Sequence, residues 1–366
     1  MDVTKFFVPW YDRIKSYKTD DIATAWQDQE LHRMFVNENP MGPSERIVEA
    51  VTRAARLGNR YPDNGVRIRS RLADMYRIDP DNVYVGHGSS EIIELMSRLF
   101  LAPDDEMLVP NPIFSLYEVR ASIAGARVIQ VDVTPDMQYD TDAMLEAITP
   151  KTKLMVLCNP NNPTGDFIPD DDIRRLLDAG IPTLFDEAYL EYYPDHGSKG
   201  AMIREYPNLV VAHTFSKAYG MAGIRFGYAL ADEAIIQAFR KIQMPWSPGL
   251  LSIAAAEAAL DDMEGLNQKI HFNRAQMKYL YDEMQKIPGL KPYISYGNYM
   301  IVDATDLGVK GQEVVDYLVE KKKIMIKAVK TLKDRPGIFR ISVGTADENR
   351  ACVDGIKAFF ASRGRG

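Results

Sequence analysis

A chain of 366 residues is too long for one compact core of ordinary size, so we expect two domains, or one large domain with a smaller one. Its hydrophobic fraction of 46% and charged fraction of 26% are typical of a globular protein and exclude a disordered chain. Because 51 acidic residues outnumber 44 basic ones, the charge balance argues against a nucleic-acid partner but leaves a local anion pocket open.

The two cysteines, Cys158 and Cys352, lie far apart and lack the paired spacing of a disulfide framework or a zinc site. This usage fits a reducing compartment, and we expect no metal. No apolar run reaches the roughly 18 residues of a membrane-spanning helix, and the first residues carry no apolar leader. We therefore expect a cytoplasmic protein without a membrane partner.

The first 40 residues show no clear periodicity, and we expect an N-terminal arm that lies across a domain and forms part of the small one. From about residue 83 to 230, short apolar runs alternate with helical patterns, which is typical of an α/β fold with a mostly parallel sheet. The predicted strands are 83–85, 106–109, 127–131, 154–157, 183–185, 209–214 and 227–230, with helices at 90–100 and 173–179.

Residues 255–285 are rich in Ala, Leu, Met and Glu and predict one long helix. After it, the pattern predicts a smaller α+β domain with strands at 300–303, 324–326 and 339–343 and helices at 311–322 and 348–360. The expected domains are therefore the arm at 1–40, a large domain at 41–255 and a small domain at 256–366.

A glycine-rich turn at residues 86–91 (GHGSSE) joins a predicted strand to a predicted helix. Free N–H groups and the helix dipole favour a phosphate at such a turn, although a serine cap without a ligand fits equally well. Glu91 replaces the third glycine of a dinucleotide fingerprint, which argues against a nicotinamide cofactor.

Two polar segments follow neighbouring strands. Residues 159–165 (NPNNPTG) have the composition of a turn stabilised by asparagine side chains. Residues 186–189 (DEAY) follow the next strand, where an acid could also serve as a helix cap. Because ligands in open α/β sheets bind outside the carboxyl ends of the strands, we expect both segments at one edge.

Lys217 follows the strand at 209–214 among small and apolar residues, and Arg225 comes eight residues later. A lysine nucleophile must be neutral part of the time, and partial burial or a nearby cation lowers its pKa. Arg225 could supply that cation. Lys217 is therefore a candidate catalytic residue at the same sheet edge.

Taken together and in this order, the motifs resemble those of fold-type I pyridoxal-phosphate enzymes, in particular the histidinol-phosphate aminotransferase branch. The similarity runs from about residue 30 to the C-terminus. The segments that carry it are 36–44 (VNENPMGPS), 59–62 (NRYP), 159–165, 186–189, 214–220 (TFSKAYG) and 339–345 (FRISVGT).

The resemblance implies a large domain with a mostly parallel sheet, a smaller α+β domain and pyridoxal 5'-phosphate as cofactor. Lys217 would form the Schiff base and move protons as general base and acid, and Asp186 would pair with the pyridine nitrogen. Tyr189 and Asn162 would hydrogen-bond the ring hydroxyl oxygen, and Phe114 would stack on the ring.

The resemblance also assigns the cofactor phosphate. In this family Tyr61 reaches the phosphate of the neighbouring subunit's cofactor, so a homodimer with shared active sites is implied. Within one chain, the phosphate would be held by the backbone of Ser89 and Ser90 and by Thr214, Ser216 and Arg225.

The substrate end is where this chain departs from the resembling enzymes. Arg340 would clamp a carboxylate or phosphate of the substrate, with Asn162 beside it. Lys327 stands where the phosphate-binding members carry arginine, and it keeps the charge but not the planar fork. Tyr17 lies in 16–19 (SYKT) and would still reach substrate. Trp246, in 245–248 (PWSP), would either widen an apolar wall or merely pack.

We therefore expect an aminotransferase that moves an amino group to a 2-oxo acid such as 2-oxoglutarate, with ping-pong kinetics. Histidinol phosphate is the first expected donor, aromatic amino acids are the second, and a specialised biosynthetic amine or amino acid is the third. A related decarboxylase stays open because it uses the same cofactor residues. A regulator of the same fold is disfavoured, since such regulators carry an added winged-helix region.

Overall fold

The computed structural model describes residues 1–17 and 19–363. Its N-terminal arm contains the helix α1 (Asp20–Gln27) and the two-residue strand β1 (His32–Arg33). Strand β1 pairs in parallel with Ile324–Met325, which fastens the arm to the C-terminal part of the chain. Elements this short leave too few turns for a periodic pattern, which is why the sequence did not reveal them.

The central part of the chain folds around a seven-stranded sheet. Helices α2 (Glu45–Ala55) and α3 (Val66–Tyr76) precede it. The following elements are β2 (Val83–Gly86), α4 (Ser89–Phe100), β3 (Glu106–Asn111), α5 (Leu116–Ile123), β4 (Arg127–Asp132), α6 (Thr141–Glu146), β5 (Thr152–Cys158), α7 (Asp170–Asp178), β6 (Thr183–Asp186), β7 (Leu209–Thr214) and β8 (Gly227–Ala231).

The strand order is β2-β8-β7-β6-β5-β3-β4, and every strand except β8 runs in the same direction. The fold is therefore α/β with a mostly parallel sheet, as expected. Strands buried on both faces form continuous apolar runs, which explains why the sequence showed them clearly. Because β8 is antiparallel, its first residues lie at the edge where the other strands end.

Helices cover both faces of this sheet. On one face, α2 and α3 contribute Ile47, Ile68 and Leu72 to a large hydrophobic cluster. On the other face, α4 and α8 (Glu233–Ile242) contribute residues such as Leu95 and Phe239 to a second cluster. Full burial of each such side chain stabilises the fold by about 1.5–3 kcal/mol, so the two layers hold the sheet edge in place.

The single long helix predicted at 255–285 is wrong. The chain forms two helices, α9 (Leu250–Leu260) and α10 (Met263–Gln285). Between them, the Asp262 carboxylate accepts a hydrogen bond from the Gly265 N–H at 3.1 Å and caps α10. Aspartate is a favoured N-cap, but the helix-forming residues on both sides concealed the break.

The C-terminal part forms a separate antiparallel sheet in the order β12 (Lys327–Ala328), β13 (Ile338–Ser342), β10 (Tyr299–Asp303) and β9 (Lys291–Pro292). The strand predicted at 324–326 corresponds to β11 (Ile324–Met325), which pairs with β1 and not with this sheet. The short strand β12, which pairs with β13, begins one residue after the predicted range and was not predicted. The elements are β9 (Lys291–Pro292), β10 (Tyr299–Asp303), α11 (Gly311–Lys322), β11 (Ile324–Met325), β12 (Lys327–Ala328), β13 (Ile338–Ser342) and α12 (Ala346–Ala361).

Helix α10 joins the two hydrophobic cores. Leu266 and Ile270, near its start, pack into the cluster of the large sheet. Met277, Leu280 and Met284, further along, pack into the cluster of the C-terminal sheet. These two cores agree with a large and a small unit, while the division at residues 40 and 255 stays a prediction.

Short 3-10 turns connect several of these elements. These turns lie at Thr4–Phe6, Tyr11–Arg13, Pro80–Asn82, Leu190–Tyr192, Pro194–His196, Lys199–Arg204 and Thr305–Leu307.

Among residues 1–17 and 19–363, no helix combines the length and apolar character needed to span a bilayer.

Candidate active site

A cavity of about 640 Å³ lies at the edge of the large sheet where the parallel strands end, facing β12 and β13. Residues from the N-terminal arm, the large sheet and the C-terminal sheet all line it. The cavity brings together these predicted site residues: Tyr17, Ser89, Ser90, Phe114, Asn162, Asp186, Tyr189, Thr214, Ser216, Lys217, Arg225, Lys327 and Arg340.

One end of the cavity is an anion cradle at the start of α4. Arg225 Nη2 donates to Ser90 Oγ at 3.4 Å, and Arg225 Nη1 donates to Ser216 Oγ at 3.4 Å. The Thr214 hydroxyl donates to Ser216 Oγ at 2.9 Å. A helix N-terminus, three hydroxyls and a guanidinium with neutral partners are the groups that hold a phosphate.

Close approach of backbone and guanidinium makes this cradle possible. Gly88 has φ +78°, and a Cβ added there would lie 2.8 Å from Arg225 Nη2. A larger residue would therefore push Arg225 away as well as strain the backbone. Arg225 reaches this edge because it precedes the antiparallel β8.

Lys217 lies in the middle of the cavity, just after β7. Its Nζ donates to the carbonyl oxygens of Asn37 at 3.1 Å and Val36 at 3.3 Å. Burial, reinforced chiefly by the charge of Arg340, lowers the pKa of Lys217 to about 8. Arg225 acts in the same direction but less strongly, so the sequence-based choice of Arg225 identified the smaller of the two cations.

Asp186 ends β6 and faces the cavity. One carboxylate oxygen accepts from the Tyr117 hydroxyl at 2.7 Å, and the other accepts from the Ala188 N–H at 3.0 Å. Burial raises the pKa of Asp186 above its ordinary value, while these two hydrogen bonds oppose the shift. A cationic N–H group beside Asp186 would therefore favour the ionised carboxylate.

Tyr189 and Asn162 lie between Lys217 and the far end of the cavity. The Tyr189 hydroxyl accepts from Asn162 Nδ2 at 3.2 Å and from Asn37 Nδ2 at 2.9 Å. Burial raises the pKa of Tyr189, so the phenol keeps its proton at neutral pH. Arg340 Nη1 donates to Asn162 Oδ1 at 2.7 Å, which links the two halves of the cavity.

Arg340 and Lys327 form the far end. The register of β12 and β13 places them directly opposite each other, so both side chains lie on one face of the sheet. Arg340 is 9% exposed, its hydrogen-bond partners are neutral, and its Nε–H is buried without a partner among the described residues. Burial and the charge of Arg340 lower the pKa of Lys327. Lys327 is nevertheless exposed, and the charge of Asp21 partly opposes the lowering of its pKa. A buried arginine with neutral partners opposite a second cation favours a bound anion.

Aromatic rings form a side wall of the cavity. The Tyr17 and Phe114 rings meet edge to face with centroids 6.1 Å apart. Phe114 also meets Tyr117 edge to face at 5.6 Å, which orients its ring. Such a wall excludes water from one flank of a bound planar group.

Tyr61 and Trp246 are the two predicted site residues that the chain does not bring to its own cavity. Their rings stack on each other with centroids 4.2 Å apart and planes 17° apart. Tyr61 is 73% exposed and Trp246 is 50% exposed. Within the single chain, Trp246 therefore packs on Tyr61 instead of forming an apolar wall beside Arg340.

Several cavity residues had no functional signal in the sequence. Tyr117 holds Asp186 from 69 positions away, and no local pattern predicts such a pairing. Asn37 lies within a motif that we noted, but only the fold brings its side chain to Tyr189. Lys330 lines the cavity three residues after Lys327.

The residues present fit pyridoxal phosphate. The cavity has a guanidinium beside a helix N-terminus at Arg225 and Gly88, an amine of lowered pKa at Lys217 and a buried carboxylate at Asp186. At the opposite end it has the Nε–H of the buried Arg340, which finds no partner within residues 1–17 and 19–363. These are the groups needed by the phosphate, aldehyde and ring nitrogen of the cofactor and by an anionic substrate.

Comparison with known proteins identifies related sequences and structures. The family model "Aminotransferase class I and II" matches residues 31–356. Histidinol-phosphate aminotransferase 1 of Idiomarina loihiensis is 34% identical, covering 90% of this chain and 89% of the relative. Histidinol-phosphate aminotransferase of Symbiobacterium thermophilum is also 34% identical, covering 94% and 96%.

A similar fold occurs in the crystal structure of histidinol-phosphate aminotransferase from Sinorhizobium meliloti in complex with pyridoxal-5'-phosphate. The TM-score is 0.88 at 24% sequence identity, and the superposition covers 96% of this chain and 98% of that one. This likeness concerns the fold: a mostly parallel sheet between helices with a smaller unit beside it.

Proposed function

This chain belongs to the family of class I and II aminotransferases, and from that premise we propose that it moves the amino group of histidinol phosphate, or a similar phosphorylated donor, to a 2-oxo acid such as 2-oxoglutarate. The activity class, pyridoxal-phosphate-dependent transamination, follows from the family. Two relatives named histidinol-phosphate aminotransferase, similar over nearly the whole chain, support the proposed donor.

The main support for a phosphorylated donor is that Lys327 and Arg340 lie directly opposite each other on the paired strands β12 and β13. A phosphate monoester carries a charge of about −1.5 to −2 near pH 7, whereas a carboxylate carries a single charge. Two cations facing one cavity therefore match a phosphate better than a carboxylate. Lys327 supplies its charge as a point and Arg340 as a planar fork, so we expect Arg340 to orient the anion.

We assign the other cavity residues as follows. When bound, pyridoxal phosphate supplies a carbon that accepts the amino group and a ring that withdraws electrons from the substrate α carbon. Lys217, with its pKa lowered to about 8, is partly neutral near pH 7 and moves the α proton as base and then acid. Asp186 holds a proton on the ring nitrogen.

Tyr189 and Asn162 bind the ring hydroxyl oxygen in this proposal. Phe114 and Tyr17 form the wall that excludes water from the ring and the donor side chain. Ser89, Ser90, Thr214, Ser216 and Arg225 bind the cofactor phosphate. Because amino donor and 2-oxo acid would use the same anion clamp, the keto product leaves before the second substrate enters.

Aromatic amino acids are the second candidate donors. The wall formed by Tyr17 and Phe114 favours a planar side chain, which a phenyl ring and an imidazole ring both provide. Trp246 was the sequence feature that favoured aromatic donors most, and its stacking on Tyr61 removes that support within one chain.

We further propose a homodimer in which Tyr61 of one subunit reaches the cofactor phosphate of the other. The stacked and exposed Tyr61 and Trp246 support a buried position in an assembly, because large exposed aromatic pairs commonly mark interfaces. Sedimentation of the purified protein tests the dimer. The cytoplasmic location expected from the sequence stays a prediction.

Half-reaction rates test the proposed donor. We expect histidinol phosphate to react at least about 10-fold faster than phenylalanine, tyrosine or tryptophan, because removing one charge-assisted contact costs about 1.5–3 kcal/mol. In Lys327→Met this advantage should shrink by about 10-fold, while the phenylalanine rate stays within about two-fold. Lys327→Arg serves as the charge-conserving control and should keep the preference.

The outcome that would remove histidinol phosphate as the donor is a faster reaction with an aromatic amino acid in the wild type. A separate mixture with L-glutamate tests the reaction class. Loss of the absorbance band of the lysine-bound cofactor at about 420 nm, without release of carbon dioxide, indicates transamination and not decarboxylation.

A further inference from the structure

Asn37 contacts both groups to which the proposed function gives proton chemistry. It is 1% exposed and has φ +56°, in the left-handed region that asparagine tolerates better than most residues. Its main-chain carbonyl accepts from Lys217 Nζ at 3.1 Å, and its side-chain Nδ2 donates to the Tyr189 hydroxyl at 2.9 Å. The left-handed backbone allows one residue to reach both.

The orientation of the Asn37 amide is determined by Ser342. The backbone N–H of Asn37 donates to Ser342 Oγ at 3.0 Å, so the Ser342 hydroxyl acts as acceptor there and has its own proton to donate. That proton goes to Asn37 Oδ1, which lies 2.7 Å away. The Asn37 oxygen is therefore on the Ser342 side, and the NH2 group faces Tyr189.

The Asn162 amide is oriented by the same kind of argument. A guanidinium only donates, so the atom 2.7 Å from Arg340 Nη1 must be the Asn162 oxygen. The Asn162 NH2 group then faces the Tyr189 hydroxyl at 3.2 Å. Two N–H donors thus converge on one phenol oxygen.

A phenol oxygen has two lone pairs and one proton. Asn37 and Asn162 occupy both lone pairs of Tyr189, and over residues 1–17 and 19–363 no hydrogen bond is donated by the Tyr189 hydroxyl. Because Tyr189 lines the cavity, its proton is left for an acceptor inside the cavity.

We propose that Asn37 is a positioning residue that, together with Asn162, makes the Tyr189 hydroxyl a donor to the ring hydroxyl oxygen of the cofactor. This inference rests on the proposed function, since it requires the ring beside Tyr189. A donor at that oxygen stabilises its anionic form and lowers the pH at which the lysine-bound cofactor loses its proton. Ser342 acts through Asn37 by holding its amide in the donating orientation.

The test is the pH titration of the visible absorbance of the holoenzyme. Asn37→Asp keeps the size and tolerates the left-handed backbone, but it presents an acceptor, so Tyr189 donates to residue 37 and not to the cofactor. We expect the titration midpoint to rise by about 1 pH unit, the size of one hydrogen bond. Asn64→Asp is the matched control, because Asn64 also has a positive φ but is exposed outside the cavity.

A double-mutant cycle with Tyr189→Phe separates two effects of Asn37→Asp: a change in the direction of the Tyr189 O–H and the charge of the new carboxylate. If Asn37 acts through the Tyr189 proton, Asn37→Asp should shift the midpoint by less than about 0.3 unit in the Tyr189→Phe background. An equal shift in both backgrounds, or no shift in either, would overturn the proposal. Ser342→Ala gives a second route if Asn37→Asp does not fold, and it should produce a smaller rise in the same direction; an unchanged midpoint there would also overturn the proposal.

The absorbance of the wild type and of the variants distinguishes a wrong role for Asn37 from a wrong function for the protein. If the wild type forms the visible band and amino donors bleach it while the Asn37 and Ser342 variants titrate normally, the positioning role alone is wrong. If the wild type forms no band with pyridoxal phosphate, the proposed function fails and this inference fails with it.

Discussion

The two ends of the cavity differ in how their charged groups are held. At the cofactor end (Ser89, Ser90, Asp186, Thr214, Ser216, Lys217 and Arg225), the groups lie at or beside the ends of strands of one sheet. Most of their hydrogen bonds stay within that unit, and Lys217 is the exception, because its Nζ donates to Val36 and Asn37 of the N-terminal arm. At the substrate end (Tyr17, Lys327, Lys330 and Arg340), the groups come from the N-terminal arm and the C-terminal sheet.

This difference separates the reaction from its specificity. A rigid sheet edge fixes groups to the accuracy that bond-making chemistry needs. A clamp on another unit can change its charges without disturbing that edge, and Lys327 in place of an expected arginine is such a change. Variants at the two ends should therefore fail in different ways.

The largest expected effect is at the cofactor end. Lys217→Ala should slow the half-reaction with L-glutamate by at least about 10⁴-fold, because it removes the group that moves the α proton. Stopped-flow absorbance measures the rate. Lys153→Ala, an exposed lysine on β5, is the control and should react like the wild type. A loss below about 100-fold would mean that another base acts in the cavity.

A smaller and different loss is expected at the substrate end. Arg340→Ala should lower kcat/KM for the amino donor and for 2-oxoglutarate by about 100-fold each, since both would use this guanidinium. Cofactor retention, measured by absorbance after gel filtration, should stay at the wild-type level. If Arg340→Ala instead releases the cofactor, the two ends are not separable and the comparison fails.

The smallest expected effect is on the free energy of unfolding, whose pH dependence reports the electrostatic coupling between the two ends of the cavity. The folded-state pKa of Lys217, about 8, is below that of an unfolded lysine. Above pH 8 the unfolded chain therefore holds more protons than the folded chain, and stability rises with pH. The free energy of unfolding of the cofactor-free protein should therefore gain about 1.5 kcal/mol from this lysine between pH 8 and pH 9.5.

Urea denaturation at those two pH values, compared with Lys217→Met, isolates this contribution. The gain should be absent in Lys217→Met. In Arg340→Ala the gain should move to higher pH, because the charge that helps to lower the pKa of Lys217 is gone. An Arg340→Ala profile identical to that of the wild type, with the gain absent only in Lys217→Met, would show that the ends are not coupled.

Local patterns in the sequence were enough to predict the elements that carry the cofactor end. Strands buried on both faces appear as continuous apolar runs, and the polar residues that follow them, such as Asp186 and Lys217, fall at a common edge by the rule for parallel sheets. The break before Asp262 was missed because good helix formers lie on both sides of a two-residue interruption.

The sequence by itself determined the α/β fold, because composition and periodicity depend on residues close together in the chain. It determined the cofactor class and most cavity residues only through motifs that resemble those of fold-type I pyridoxal-phosphate enzymes. Only the tertiary structure decided which partners they have. Tyr117 meets Asp186, Asn37 meets Tyr189 and Lys327 faces Arg340 because separate elements pack and pair in register. Hydrogen bonds and charge pairs between residues distant in sequence depend on that packing, which no local pattern encodes.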